Sequence, residues 1–367
     1  MTERSSVLPR ERVMLNLRRQ EADRPAFAWG FGPQPPAQAD LDRHLSAWGI
    51  DYPRLFNVTC DTRHFRAVYA GPALPAQQSF WGWTTRPQTY GRGAYDEFDF
   101  QPLARAETLA DIERHPWPNP AHLDYAALPG MVRHADPDHR FARVLWGGNV
   151  FEIFSWMTGL EQTMILLLTE PEIVHAGLER ITGYFQAVLE RSLAAAPGEF
   201  DVVFLADDLG SQHGPLISRD TYRQMLMPYH VRLNATAHRH GAYTLHHSDG
   251  SVYALLGDLI EAGVDCLEAV QVECADMAPE KLKSGFGGKL AFHGAVSVQQ
   301  VLPVMKSDQV RDEVRRLKAV LGAGGGYICA PSHAIQAGTP AANVVAMVEE
   351  AVERPMAELA REAREAV

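Results

Sequence analysis

The sequence predicts a (β/α)8 barrel with an N-terminal helix and a β-hairpin, lid-like excursion, on three observations. From about residue 142 onward, short apolar runs alternate with helical patterns, which predicts a parallel sheet covered on both faces. At least seven such strands can be counted once the apolar run after Arg24-Pro25 is included. Polar residues stand at the C-terminal end of almost every strand: Asp207 and Asp208, His247 and Asp249, Glu268 and Gln271, His293, and His333. In a closed barrel these ends converge on one mouth. In an open doubly wound sheet they would spread along an edge, with only the switch point functional.

The elements follow in order. "PRERVMLNLRRQEADRP" opens on Pro9 and reads as a short amphipathic helix ended before Arg24-Pro25. "AFAWGF" from Ala26 is a strand. Residues 33–120 are rich in Pro, Gly and aromatics and read as an irregular insertion. Within it, "QSFWGWTTRPQTYGRGAYDEF" alternates as a β-hairpin that is a candidate lid over residues 79–95. "ARVLWGGN" from Ala142 is a buried strand, followed by a long apolar helix and by a second that starts after Thr169-Glu170-Pro171. "DVVFLADDLG" from Asp201 is a strand, and a helix runs from Ser218 to about His240, stopped by Gly241. "YTLHHSDG", "VDCLEAVQ", "KLAFHGAVS" and "YICAPSH" are strands, separated by helices that end at Gly263 and at the glycine run from Gly322. A last helix starts at about Pro340.

The 367 residues, 46% hydrophobic and 22% charged, suit one large barrel domain spanning 1–367. A chain of this length buries about three quarters of its unfolded surface, so folding alone requires neither a disulfide nor a metal. A net charge of −11 without a basic stripe argues against nucleic acid as a partner. Cys60, Cys266, Cys274 and Cys329 form no C-x-x-C pair, against a zinc ribbon or a thioredoxin-like motif. "MTERSSVLPRERVMLNLRRQ" has no apolar signal core, and "MILLL" from Met164 is too short for a bilayer. A reducing cytoplasm is the expected setting.

The chemistry concentrates in "TLHHSDG", Thr244 to Gly250. His247 and Asp249 share a strand face, and His246 points the other way. Asp249 has an alternative use as the N-cap of the next helix. His333, on the last strand, converges on the same mouth. Two imidazoles and a carboxylate there make a catalytic Zn²⁺ site with a position left for substrate or water, or a metal-free set of acid, base and orienter. Of Asp207 and Asp208, one faces the mouth, as second shell or base, and the other caps or pairs locally. Glu268 and Gln271 orient substrate or complete a metal shell. His293 reads equally as a core histidine. "GAGGG" from Gly322 precedes the last strand and lacks the P-loop lysine, so it reads as a helix stop. Cys329 reads as core.

"ERVMLNLRRQEADRP", "ADDLGSQHGPLISRDTYRQMLMPYH", "HSDGSVYALLGDLIEAGVDCLEAVQ" and "GGGYICAPSHAIQAGTP" resemble the uroporphyrinogen decarboxylase superfamily, which includes zinc-dependent cobamide and coenzyme M methyltransferases. The resemblance runs from Pro9 to about Glu353 and is strongest over 201–353. It implies a (β/α)8 barrel. The true decarboxylases hold tetrapyrrole carboxylates with arginines after the first strand, and "RPAFAWGFGPQPP" has none after Arg24. Without such bidentate partners, the resemblance points to the methyltransferase branch. That branch builds its zinc site from an H-x-C motif and a cysteine after the last strand. His247-Ser248-Asp249 and His333 fall at these places, with both thiolates replaced, which makes a harder site.

What the resemblance implies is therefore a metal-assisted, methyltransferase-like enzyme. It would move a methyl group between a small methylated compound and a corrinoid, carried by a partner protein, or a similar acceptor. His247, Asp249 and His333 would hold Zn²⁺. Asp207, Asp208, His247, Gln271 and His333 are the catalytic candidates. The alternatives are a metal-free decarboxylase of a small carboxylic acid and a barrel that binds a corrinoid or porphyrin without chemistry. No nucleic acid or membrane partner is expected, and a homodimer is compatible with the sequence.

Overall fold

The computed structural model describes residues 7–91 and 93–366, so the first residues of the polar N-terminal stretch lie outside the described residues. Eight parallel strands form the barrel wall: β1 (Ala26–Phe27), β2 (Thr62–Phe65), β3 (Ala142–Asn149), β4 (Val202–Ala206), β5 (Tyr243–His247), β6 (Cys266–Glu268), β7 (Ala291–Val296) and β8 (Tyr327–Pro331). The ladder runs β1-β8-β7-β6-β5-β4-β3-β2. From β2 to β8 each strand thus pairs with its sequence neighbour, and β1 pairs with β8 through Ala26↔Ile328. The expected barrel is the observed one.

Asp61 closes the remaining seam, between β1 and β2. Its backbone N–H donates to Phe27 O (2.8 Å), and its Oδ2 accepts from Phe27 N (2.7 Å). Arg12 donates to Asp61 Oδ1 at 2.7 Å and Arg24 to Oδ2 at 3.0 Å. A carboxylate thus stands in for a ladder rung, neutralised by two guanidinium groups. Below it the helix Pro9–Leu17 inserts Val13 and Leu17 against Val144, Val202 and Ile328, plugging the bottom of the barrel with fully buried side chains. Each such side chain stabilises the fold by about 1.5–3 kcal/mol.

The eighth strand, β2, lies inside the stretch expected to be irregular. "TRHF" holds one apolar residue in four, so it carries no strand periodicity. Arg63 is buried because its guanidinium stacks on Phe141 (3.6 Å) and donates to Cys60 O and Thr62 O. Three helices there, Pro35–Leu45, Tyr52–Thr59 and Leu109–Arg114, also escape the sequence reading. The second begins at Asp51, which accepts from Arg54 N. The expected hairpin is present as Thr84–Tyr90 paired with Gly93–Phe100. Its base rests on Trp156 through Trp83 and Phe98. At its tip, the Tyr90 hydroxyl lies 3.0 Å from Gln336 Oε1 and 3.3 Å from Gln34 Oε1, in the loops after β8 and β1. The hairpin therefore reaches over part of the mouth.

Three helices depart from their expected form for local reasons. The one after β3 breaks at Gly159 (φ +92°) into Phe151–Thr158 and Leu160–Thr169. The helical run from Arg219 to Arg239 carries a π-turn at Tyr222–Leu226 just before Pro228, whose missing N–H cannot close the ordinary rung. The chain does not close with Ala341–Val352; a further helix, Met356–Glu365, packs on Tyr52–Thr59. All four cysteines are free and buried, and burial pushes the Cys329 thiol up to about 11. Among the described residues, no helix is long and apolar enough to cross a membrane.

One surface cluster gives a stability test. Asp258 accepts from Arg219 Nε (2.6 Å) and pairs with Arg223. The carboxylate is shut off from solvent, while both arginines are partly exposed. Hydrogen bonding from Arg219 is the largest effect and holds the carboxyl below its ordinary value, against desolvation. Such a group stabilises the fold above its unfolded pKa, about 3.9, and that stability is lost as pH falls through the lower folded value. Asp258→Asn should therefore flatten the acid limb of a urea-midpoint profile taken from about pH 5 to pH 2.

Candidate active site

The strand ends place the expected residues unequally. His247 ends β5 and Glu268 ends β6, paired in register. His247 Nδ1 and Glu268 Oε2 are 2.9 Å apart, both side chains buried. That bond fixes the ring and leaves Nε2 facing the mouth, 3.6 Å from Asp208 Oδ1 and 3.8 Å from Asp249 Oδ1. Asp249 Oδ2 lies 3.7 Å from His333 Nε2. Gln271 holds this arrangement: its Nε2 donates to Asp249 Oδ1 (2.9 Å) and its Oε1 accepts from Gly250 N (2.8 Å). Asp208 Oδ1 accepts from Asp249 N (2.7 Å). Asp249 caps no helix; the next helical turn starts at Tyr253 without a side-chain cap.

Asp207, expected among the catalytic candidates, does not face the mouth. It is fully buried, and its carboxylate accepts from Val150 N (3.1 Å), Glu152 N (2.8 Å) and His230 Nε2 (2.8 Å). Its work is local, fixing the start of the helix Phe151–Thr158. His246 points away from the mouth, as strand alternation requires, and its ring packs 5.0 Å from His230. His293 is buried in the barrel interior, its Nδ1 3.8 Å from Glu268 Oε1.

The electrostatics follow from this packing. Burial pulls the His247 imidazole down, but Glu268, with Asp208 and Asp249, outweighs it and lifts the group to about 9. Burial alone would raise Glu268; facing His247, it sits below its usual value. Asp249 is raised, by burial first and then by the charge of Asp208, against His247 and His333. Glu152, which the sequence did not single out, is raised to about 8 by burial and by Asp208 and Asp207. Its Oε2 accepts from Asn149 Nδ2 (3.0 Å). It hides in the apolar helix start "NVFEIF", although it follows a strand end.

Ligand atoms of His247, Asp249 and His333 all lie within 4.8 Å of one another. Zinc ligands at about 2.0–2.1 Å in a tetrahedron stand about 3.3 Å apart. His247 Nε2 stands 3.8 Å from one Asp249 oxygen and His333 Nε2 3.7 Å from the other, too long for hydrogen bonds and a few tenths of an ångström above this spacing. A histidine whose second nitrogen is bonded to a buried carboxylate is also the usual form of a metal-binding imidazole. The residues fit a divalent ion. If they hold one, Glu268→Gln should weaken its affinity by about 10- to 100-fold, read by competition with a chromophoric chelator.

Beside this cluster lies a cavity of about 290 Å³ that the sequence did not reveal, reached by Phe31, His64, Arg66, Trp146, Phe204 and Glu268. Phe31 links the two, its ring 5.0 Å from that of His247 and 5.1 Å from that of His333. Arg24, the one arginine expected near the first strand, is at the seam with Asp61 instead.

Comparison with known proteins gives the family and agrees with the fold. The family profile described as uroporphyrinogen decarboxylase (URO-D) matches residues 147–354, more than half of the chain. The chain is 28% identical over 207 residues to a methylated-thiol–coenzyme M methyltransferase of Methanosarcina mazei, covering 56% of this chain and 52% of that protein. It thus spans about half the length of that curated relative. Among solved structures, a methyltransferase from Methanosarcina mazei superposes with a TM-score of 0.68 at 17% identity, over 95% of this chain and 99% of that one. That likeness shows the barrel fold.

Proposed function

We propose that this chain, which belongs to the uroporphyrinogen decarboxylase (URO-D) family, is a metal-assisted methyltransferase of that family. It moves a methyl group between a small methylated compound and a corrinoid carried by a partner protein, or a similar acceptor. The observation that carries the reading is the presentation of His247 Nε2 toward Asp249, Asp208 and His333, with Nδ1 tied to Glu268. The resemblance to a coenzyme M methyltransferase supports it.

His247, Asp249 and His333 would hold Zn²⁺. When bound, such an ion polarises the heteroatom that bears the methyl group and steadies the charge it gains on leaving. The rest is done by the chain. Glu268 holds the Nδ1 proton of His247, so that an ion displacing the Nε2 proton would meet a lone pair aimed at the mouth. Gln271 turns Asp249 toward both histidines. Glu152, its carboxyl raised by burial and by Asp208, would supply a proton to the leaving heteroatom, and Asp208 orders the loop at Asp249. Tetrapyrrole chemistry is disfavoured, because Arg24 is spent at the seam and a cavity of about 290 Å³ is at the small end of ligand pockets, roughly 300–1,000 Å³.

The test is methylation of free reduced cobalamin, followed by its visible spectrum, with a panel of small methyl ethers, thioethers and methylamines. Turnover that stops on chelation and returns with zinc is expected. Carbon dioxide release from a small acid by metal-free protein would instead support a decarboxylase.

A further inference from the structure

We propose that the cavity beside the His247 cluster is a subsite for a compact aromatic acid, its ring held by Trp146, Phe204 and Phe31 and its carboxylate by Arg66. The inference deepens the methyl-transfer reading and rests on it only for what happens to the group that reaches the cluster.

The apolar side is flat. Trp146 and Phe204 stack at 5.0 Å with planes 26° apart, and Phe31 meets Phe204 edge-on at 6.1 Å. Trp146 is 39% exposed and Phe31 46% exposed, although both line the cavity. Large aromatic faces left open inside a concave site favour an apolar ligand, and a ring offers them the offset or edge contacts they prefer. A volume of about 290 Å³ accommodates a single substituted ring rather than an extended ligand.

The charges decide what the ring carries. Glu268 is already matched by His247 at 2.9 Å. His293, buried and lining the cavity, is held below the ordinary imidazole value by burial, and His64 lines the cavity beside it and offers no negative charge. Arg66 reaches the cavity from the end of β2, and among the described residues no hydrogen bond or ion pair engages its guanidinium. The unmatched charge in the cavity is thus positive. A quaternary ammonium would also suit an aromatic box, but here it would share the cavity with the Arg66 guanidinium while Glu268 is already paired with His247. A planar guanidinium instead matches a carboxylate with paired hydrogen bonds. Phe31 touches the cavity and both cluster histidines, so a substituent on the far side of the ring is directed to the cluster.

Calorimetric titration of the full chain tests this without any turnover. The probes are 4-methoxybenzoate, the neutral 4-methoxybenzamide and the cation phenyltrimethylammonium, each added to protein as purified and after metal removal. The acid should bind at least about 10-fold more tightly than the amide or the cation, as expected of one charge-assisted contact. Arg66→Gln should bring the acid down to the level of the amide, a loss of about 10- to 100-fold, while leaving the amide unchanged. Arg66→Lys should restore part of the difference, and Trp146→Leu should weaken acid and amide alike. Equal binding of acid and amide, preference for the cation, no binding of any probe, or an Arg66→Gln variant that still prefers the acid would each overturn the subsite. Binding as expected with no methyl transfer from any probe would leave the subsite standing and count against the reaction.

Discussion

His247→Ala should lower methyl transfer by about 1,000-fold or more, the several kcal/mol that a metal contributes to a transition state. The variant removes the nitrogen that Glu268 orients and so breaks the cluster at its centre. It also carries a second cost. Glu268 is buried and would lose its partner, and breaking a buried pair costs about 3–5 kcal/mol. Activity and stability therefore have to be separated. His333→Ala does this: its side chain is 36% exposed and its nearest carboxylate oxygen is 3.7 Å away, so the fold should tolerate the change. The same loss of turnover in His333→Ala at an unchanged urea midpoint would attribute the effect to the cluster rather than to unfolding.

Asp61→Ala should destabilise the barrel by about 3–5 kcal/mol, the cost of stranding buried charges. It removes the acceptor of Phe27 N and one partner each of Arg12 and Arg24, at the one seam where no strand ladder holds the wall. Arg12 keeps Asp23, which caps the loss. Equilibrium urea unfolding reads the change directly, and a shift under about 1 kcal/mol would mean that the seam is held by packing instead.

The barrel was legible because its strands from Ala142 onward are short apolar runs that end in polar residues. Those endings also gave His247, Asp249, Glu268, Gln271 and His333. The misses have physical reasons. β2 carries Arg63 and His64 in four residues, and its arginine is buried by a ring contact that no periodicity announces. With β2 unseen, Arg66 and the cavity were unseen as well. Asp207 and Asp208 are adjacent, so they point apart, but pattern alone does not say which one turns inward; the amides of Val150 and Glu152 decide it. Glu152 sits among apolar helix residues and shows its character only once Asp207 and Asp208 surround it.

The central claim is that "HHSDG" and His333 hold a metal. Elemental analysis of protein purified without a polyhistidine tag tests it most directly, in wild type, His247→Ala and His333→Ala. The account predicts near one equivalent of zinc in wild type and its loss from both variants. Wild-type protein that stays metal-free after anaerobic reconstitution with zinc, or variants that retain the ion, would contradict it, and the two histidines would then be acid–base groups.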